Sequence, residues 1–161
     1  MTTRLMVTGA SGFVAGSILR QAGPEWELHA LSGKPAHLRR DGLHWHTLNV
    51  LDAAALRQAF EAIRPAAVIH TAANADIDFC EKNRELAERV NVALAREVAV
   101  LCRAQGARLV HASTDTVFDG EHAPYREADP AEPVNHYGRT KLSAEQTVRK
   151  VLANAVIARL A

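Results

Sequence analysis

"VTGASGFVAGS", residues 7–17, joins a strand-like apolar run to a helix-like one through a loop with glycine at 9 and 12. Glycine there lets the backbone turn tightly and approach phosphate oxygens, while the first turn of the following helix offers unpaired amide donors at a positive dipole end. The spacing is Gly-x-x-Gly-x-x-Ala, so Ala15 stands where dinucleotide loops place a third small residue for close packing of helix on strand. Gly9, Ser11, Gly12, Phe13 and Val14 are therefore the candidate cradle for a cofactor pyrophosphate. The reading holds if the loop sits on the first strand–helix turn of an α/β sheet.

The rest of the chain supplies that context. Apolar β-type runs alternate with helical patterns from end to end, the signature of βαβ units and a parallel sheet covered on both faces. Strands are predicted at 4–9, 27–32, 44–50, 66–72, 107–114 and 155–160. Helices are predicted at 13–22, over "AAALRQAFEAI" after an Asp52 N-cap and before Pro65, and over 81–104, where Leu86, Val90, Leu94, Val98 and Leu101 make an apolar stripe. The expected fold is one α/β domain over 1–161, a doubly wound parallel sheet of Rossmann type, with ligands at the carboxyl ends of the strands. A long polar loop, 119–135, is rich in Pro, Asp and Glu, and loops of that length are often functional.

Composition narrows the class. Nineteen basic against 18 acidic residues, net charge +1, leave no basic stripe for nucleic acid, and four Phe, two Trp and two Tyr are few for base stacking. Cys80 and Cys102 lack C-x-x-C spacing, which argues against a disulfide framework or a zinc site and fits a reducing cytoplasm. The amino terminus lacks the long apolar core of a signal peptide, and no apolar run approaches ~18 residues, so no membrane partner is expected. Eight histidines invite a metal, and His44 and His46 share a face if 44–50 is a strand, but no third ligand cluster stands nearby in sequence. No metal site is expected.

Several residues are placed for a nucleotide. After the second strand, "LSGKPAHLRR" carries Ser32, Lys34, Arg39 and Arg40 where NAD-specific loops carry an acidic residue, so a 2′-phosphate would find partners and NADPH is preferred over NADH. A solvated basic loop explains the same residues without a ligand. Asn49 and Val50, at the end of the third strand, could bracket an adenine edge. Ala72 and Ala73 are small enough for a cofactor to lie against backbone, or simply for close packing. Tyr137 and Lys141 stand four apart at a helix start, roughly 6 Å on one face.

Together "TGASGFVA", "HTAAN" (70–74), "VNV" (90–92), "STDTVFDG" (113–120) and "PYREADPAEPVNHYGRTK" (124–141) resemble the extended short-chain dehydrogenase/reductases, most closely the dTDP-4-dehydrorhamnose reductase branch. The resemblance implies an NAD(P)-dependent oxidoreductase of nucleotide-sugar metabolism that reduces a nucleotide-linked 4-keto sugar or another small carbonyl. By that resemblance Thr114 orients the carbonyl, Tyr137 donates the proton, Lys141 supports it and bonds the nicotinamide ribose, and Asn91 orders a relay water. Asp115 would contact substrate. Ser113 competes with Thr114 for the hydroxyl role. A nearby ammonium stabilises a phenolate and so brings the phenol's acidity towards working pH. The same superfamily includes epimerases and dehydratases with bound NAD, and a non-catalytic NADP-binding subunit that modulates methionine adenosyltransferase. Relatives often form homodimers through helices corresponding to 81–104 and 136–153. Members also continue beyond "AVIARLA", so the expectation is the amino-terminal, cofactor-binding part of a longer enzyme.

Overall fold

Six parallel strands form the frame: β1 (Thr3–Thr8), β2 (Trp26–Ser32), β3 (Leu43–Thr47), β4 (Ala67–His70), β5 (Arg108–Thr114) and β6 (Val156–Leu160), in the order β3-β2-β1-β4-β5-β6. The structure, a computed structural model, describes residues 3–161. The chain runs outward from β1 to β3, crosses back to β4 beside β1, and then runs outward the other way. The order therefore reverses between β1 and β4, and a crevice opens at their carboxyl ends. This is the doubly wound, Rossmann-like α/β fold, and every predicted strand is present within about three residues at either end.

Alternation along each strand divides the core in two. On one face α1 (Phe13–Gln21) packs Ala15 and Leu19 against Leu5, Val7, Leu28 and Ala30. On the other, α2 (Ala53–Ile63), α5 (Leu94–Gln105) and α6 (His136–Val151) cover Met6, Leu31, Val68 and Leu109. α2 begins where predicted: the Asp52 carboxylate accepts from the Ala54 and Ala55 N–H groups, and Arg64 closes the helix in the left-handed region (φ 49°) just before Pro65. Gly106, at φ 68°, ends α5 in the same way.

The helix predicted over 81–104 is not continuous. It is α3 (Ile77–Lys82), α4 (Arg84–Glu88), a π turn (Arg89–Ala93) and then α5. The Leu94 N–H donates to the Arg89 carbonyl, so one turn holds an extra residue and the inward face changes phase. Leu86 is consequently exposed, whereas Ala87 and Asn91 point inward. The polar loop after β5 is organised by Asp119, whose carboxylate accepts from the Tyr125 hydroxyl and from the Glu121 N–H, while the Tyr125 ring stacks on Phe118 at 4.3 Å. Cys80 and Cys102 are free and buried. Among the described residues no helix is long and apolar enough to cross a membrane.

His70 and His111 face each other in the β4–β5 register, with ring centroids 5.3 Å apart. Burial lowers the His70 pKa from 6.5 to about 3 and lowers that of His111 as well. Below pH 6.5 the unfolded chain takes up protons at both positions that the folded chain refuses. Stability is therefore complete above that pH and falls towards pH 3, by up to about 1.4 kcal/mol per pH unit for each histidine. Urea unfolding midpoints should hold steady above pH 7 and drop from pH 6.5 downward; a midpoint unchanged down to pH 5 would show that these imidazoles are not held neutral.

Candidate active site

A cleft of about 390 Å³ lies at the carboxyl ends of β1, β4 and β5, between the start of α1 and the start of α6. Its floor depends on Gly9. The residue has φ 71°, and a Cβ there would lie 2.7 Å from the backbone of Ala72, so no other side chain lets the β1 turn pass so close to the end of β4. Gly12 then N-caps α1 without a side-chain cap. The first-turn amides of a nine-residue helix are thus left to an outside acceptor. Ala15 is fully buried against the sheet, as a third small residue requires. Ser11 and Phe13 are exposed, and Phe13 and Val14 form the cleft's rim. These features fit a dinucleotide pyrophosphate.

α6 brings the second half of the cleft. The Asn135 side chain accepts from the Gly138 N–H at 2.8 Å, and Glu81 from α3 accepts from the His136 N–H at 2.6 Å. Gly138 is tightly placed: a Cβ would overlap the Thr116 carbonyl oxygen. This anchoring turns Tyr137 and Lys141, one helical turn apart, into the cleft. Both are buried, and the Lys141 ammonium donates to the Ala112 carbonyl at 2.6 Å.

Burial dominates the electrostatics. It lowers the Lys141 pKa to about 8, with Glu145 pulling the other way, and it raises that of the Tyr137 phenol against the Thr114 hydroxyl, which lowers it. The expectation that a neighbouring ammonium depresses the phenol is therefore corrected. Desolvation, the largest cause, decides the direction.

The two candidate hydroxyls are separated by their partners. Ser113 donates to the buried Glu145 carboxylate at 2.6 Å, and Glu145 also receives Arg159 at 2.7 and 3.0 Å. Thr114 bonds its neighbours, donating to the Thr116 hydroxyl at 3.0 Å and to Asp115 Oδ1 at 3.3 Å and accepting from the Thr116 N–H at 3.2 Å, and borders the cleft beside the phenol. Asp115 is exposed beside it. Asn91 is buried beneath, at the π turn. Its amide accepts from the Asn74 N–H at 2.8 Å and donates to the Asn74 carbonyl at 3.0 Å and the Thr140 hydroxyl at 2.9 Å; Thr140 in turn donates to the Tyr137 carbonyl. Ala73 lines the cleft and Ala72 underlies the Gly9 turn.

The remaining candidates stand apart, at the ends of β2 and β3. Ser32 is buried and accepts from the Lys34 N–H, whereas the Lys34 side chain is exposed. Arg40 is not available to a phosphate: its guanidinium donates to the carbonyls of Leu19 and Ala22, at the carboxyl end of α1, where unpaired carbonyls and the negative dipole end attract it. Arg39 remains exposed. The Asn49 side chain accepts from the Leu51 N–H in a local turn, and Val50 borders a separate hollow beside α2. Gly138, Thr140, Glu145 and Arg159 were not singled out from sequence. The i,i+4 step from Lys141 to Glu145 was the available signal.

Comparison with known proteins places the whole described chain in one family. The RmlD substrate binding domain family matches residues 3–161. A dTDP-4-keto-6-deoxy-D-glucose reductase of Streptomyces niveus is 35% identical over 153 residues, 94% of this chain and 49% of that protein. The methionine adenosyltransferase 2 subunit beta of Xenopus laevis is 33% identical over 157 residues, 98% of this chain and 46% of that one. The structure of dTDP-4-dehydrorhamnose reductase from Bacillus anthracis in complex with NADP superposes with a TM-score of 0.87 at 32% identity, covering 99% of this chain and 53% of that one. The chain thus spans about half the length of the relatives it matches.

Replacing Asn91 with alanine strips both polar groups of Asn74 and the Thr140 hydroxyl of their partner. Unfolding in urea should show a loss of about 2–3 kcal/mol; a loss under about 0.5 kcal/mol would mean that the clamp is not formed.

Proposed function

The chain belongs to the RmlD substrate binding domain family, and from that membership we propose that it is the cofactor-binding part of an NADPH-preferring carbonyl reductase acting on a nucleotide-linked 4-keto sugar. The observation that carries the reading is the meeting of Thr114, Tyr137 and Lys141 with the open amino terminus of α1 in one cleft. The glycine loop would hold the pyrophosphate, with Ala72 and Ala73 beneath the cofactor, Asn49 and Val50 at its adenine, and Ser32 with Lys34 at the 2′-phosphate. A nicotinamide held there in its reduced form would supply the hydride.

The chain's own groups would handle the proton. Thr114 donates a hydrogen bond that orients the carbonyl, and the Tyr137 phenol, whose pKa burial raises further above neutral pH, gives its proton to the carbonyl oxygen. Lys141, with two N–H donors beyond the one used on Ala112, steadies the phenolate that remains. Asn91 acts through Thr140 on the backbone of Tyr137 and so positions the donor. Asp115, exposed next to Thr114, is available to a sugar hydroxyl.

The similarity to the adenosyltransferase subunit supports a second reading, a nucleotide-binding subunit of another enzyme's complex. A tyrosine, a lysine and a threonine gathered in one cleft are a set that proton transfer to a carbonyl needs and binding alone does not, which favours the reductase.

Nicotinamide fluorescence should show NADPH binding this chain more tightly than NADH, with Lys34→Ala narrowing the difference; binding of neither would remove the cofactor assignment. In the longer enzyme of which this chain is the proposed cofactor-binding part, Tyr137→Phe should keep NADPH affinity within a few fold and lower the reduction of a dTDP-linked 4-keto sugar by about 10²–10⁴-fold. Unchanged turnover in that variant would exclude Tyr137 as the proton donor.

A further inference from the structure

Away from the cleft, strand alternation gathers four ionisable side chains on one face of the β2–β3 edge. Glu27 and His29 stand two apart on β2, His44 and His46 two apart on β3, and the parallel register sets His29 opposite His44. Glu27 Oε1 lies 3.4 Å from His29 Nε2 and 3.4 Å from His44 Nε2. The three donor atoms lie within 4.8 Å of one another. Good N–H···O bonds are shorter, ~2.7–3.2 Å. Two ligands of a tetrahedral Zn²⁺, with bonds of ~2.0–2.2 Å, stand roughly 3.3–3.6 Å apart, the edge of the tetrahedron. Both measured separations fall on that edge.

A second observation points to the same spot. His29 is 93% buried, with 7% of its surface exposed, yet its Nε2, the atom nearest Glu27, has no hydrogen-bond partner. Its other nitrogen, Nδ1, is 3.1 Å from His46 Nε2. With Nδ1 as donor to His46, the His29 Nε2 lone pair is directed at the carboxylate. In that tautomer the lone pair and the carboxylate face each other across 3.4 Å, a placement that suits a cation between them. It is also the outer-shell pattern that fixes the tautomer of a metal-ligating histidine. The other Glu27 oxygen is 3.7 Å from Arg4, which holds the carboxylate in place. His44, half exposed on the edge strand, leaves the approach open to solvent and has room to turn inward.

We propose that Glu27, His29 and His44 bind one Zn²⁺, with His46 orienting His29 and a water completing the tetrahedron. Two imidazoles with one carboxylate suit Zn²⁺ rather than Mg²⁺ or Ca²⁺, which take mainly oxygen ligands in larger coordination shells. The site sits near the amino end of β2, far along the sheet from the carboxyl-end cleft, so its role is to tie the short edge strand β3 to β2. It is independent of the reductase reading.

The test is calorimetric titration of the chelator-dialysed chain with Zn²⁺, with Co²⁺ absorption in the visible as a report of four-coordinate geometry. One equivalent should bind and raise the thermal midpoint. His46→Ala should weaken binding about 10–100-fold. His44→Ala and Glu27→Gln, both at partly exposed positions, should weaken it at least as much. His122→Ala, which removes the exposed His122–Asp119 pair, should leave it unchanged. Failure to take up one equivalent, equal affinity in His44→Ala and Glu27→Gln, or loss of binding in His122→Ala would each overturn the assignment.

Discussion

Position 9 admits no side chain, and the cleft follows from that. With Gly9 in the left-handed region against the Ala72 backbone, the ends of β1 and β4 are drawn together. Thr71 donates its hydroxyl to the Thr8 carbonyl at 2.7 Å, and the Thr8 hydroxyl meets His70 Nδ1 at 2.7 Å. The chain can then enter α1 immediately beyond the crevice where the strand order reverses. A Cβ at position 9 would push β1 and β4 apart and tilt α1 away. The donors of the first turn would no longer face the residues that α6 delivers from the other side.

Holding α6 in place takes a different device, because its inner face carries charge. Lys141 and Glu145 are both buried, and each buried charge needs a partner to offset the loss of water. Glu145 has a bidentate one in Arg159 and a third bond from Ser113; Lys141 has the Ala112 carbonyl. These bonds run from α6 to β5 and β6, so the helix register is fixed by polar contacts as well as by the packing of Ala144 and Val148. Glu81 and Asn135 fix its start. The tyrosine and lysine point into the cleft because both ends of this arrangement are fixed.

What was legible in the sequence is what depends on local rules. Strand alternation, the Asp52 cap with its Pro65 stop, and the glycine loop are each decided within a few neighbouring residues, and they emerged as read. What escaped depends on distance. The π turn that brings Asn91 inward is set by the fit of α4 and α5 against α6, so a regular 3.6-residue stripe misplaced Leu86. Arg40 was read as free because the carbonyls it satisfies belong to α1, some twenty residues earlier in the chain. Thr114 was favoured over Ser113 by resemblance alone, because the carboxylate that engages the serine, Glu145, lies 32 residues on. His44 and His46 seemed to lack companions because Glu27 and His29 reach them only through strand pairing.

The opposite shifts of Tyr137 and Lys141 have one cause, and this bears on how the two would act together. Burial favours whichever form is neutral, so it makes the phenol hold its proton and the ammonium release one more readily. Taken singly, each shift works against a phenolate or an ammonium in the cleft. In the proposed reaction, a phenolate left beside the ammonium would offset part of that penalty, since opposite charges attract more strongly in a low-dielectric space than in water. His70 and His111, behind Lys141 and kept neutral by burial and by its charge, add no competing cation. Burial therefore resists either charge taken alone.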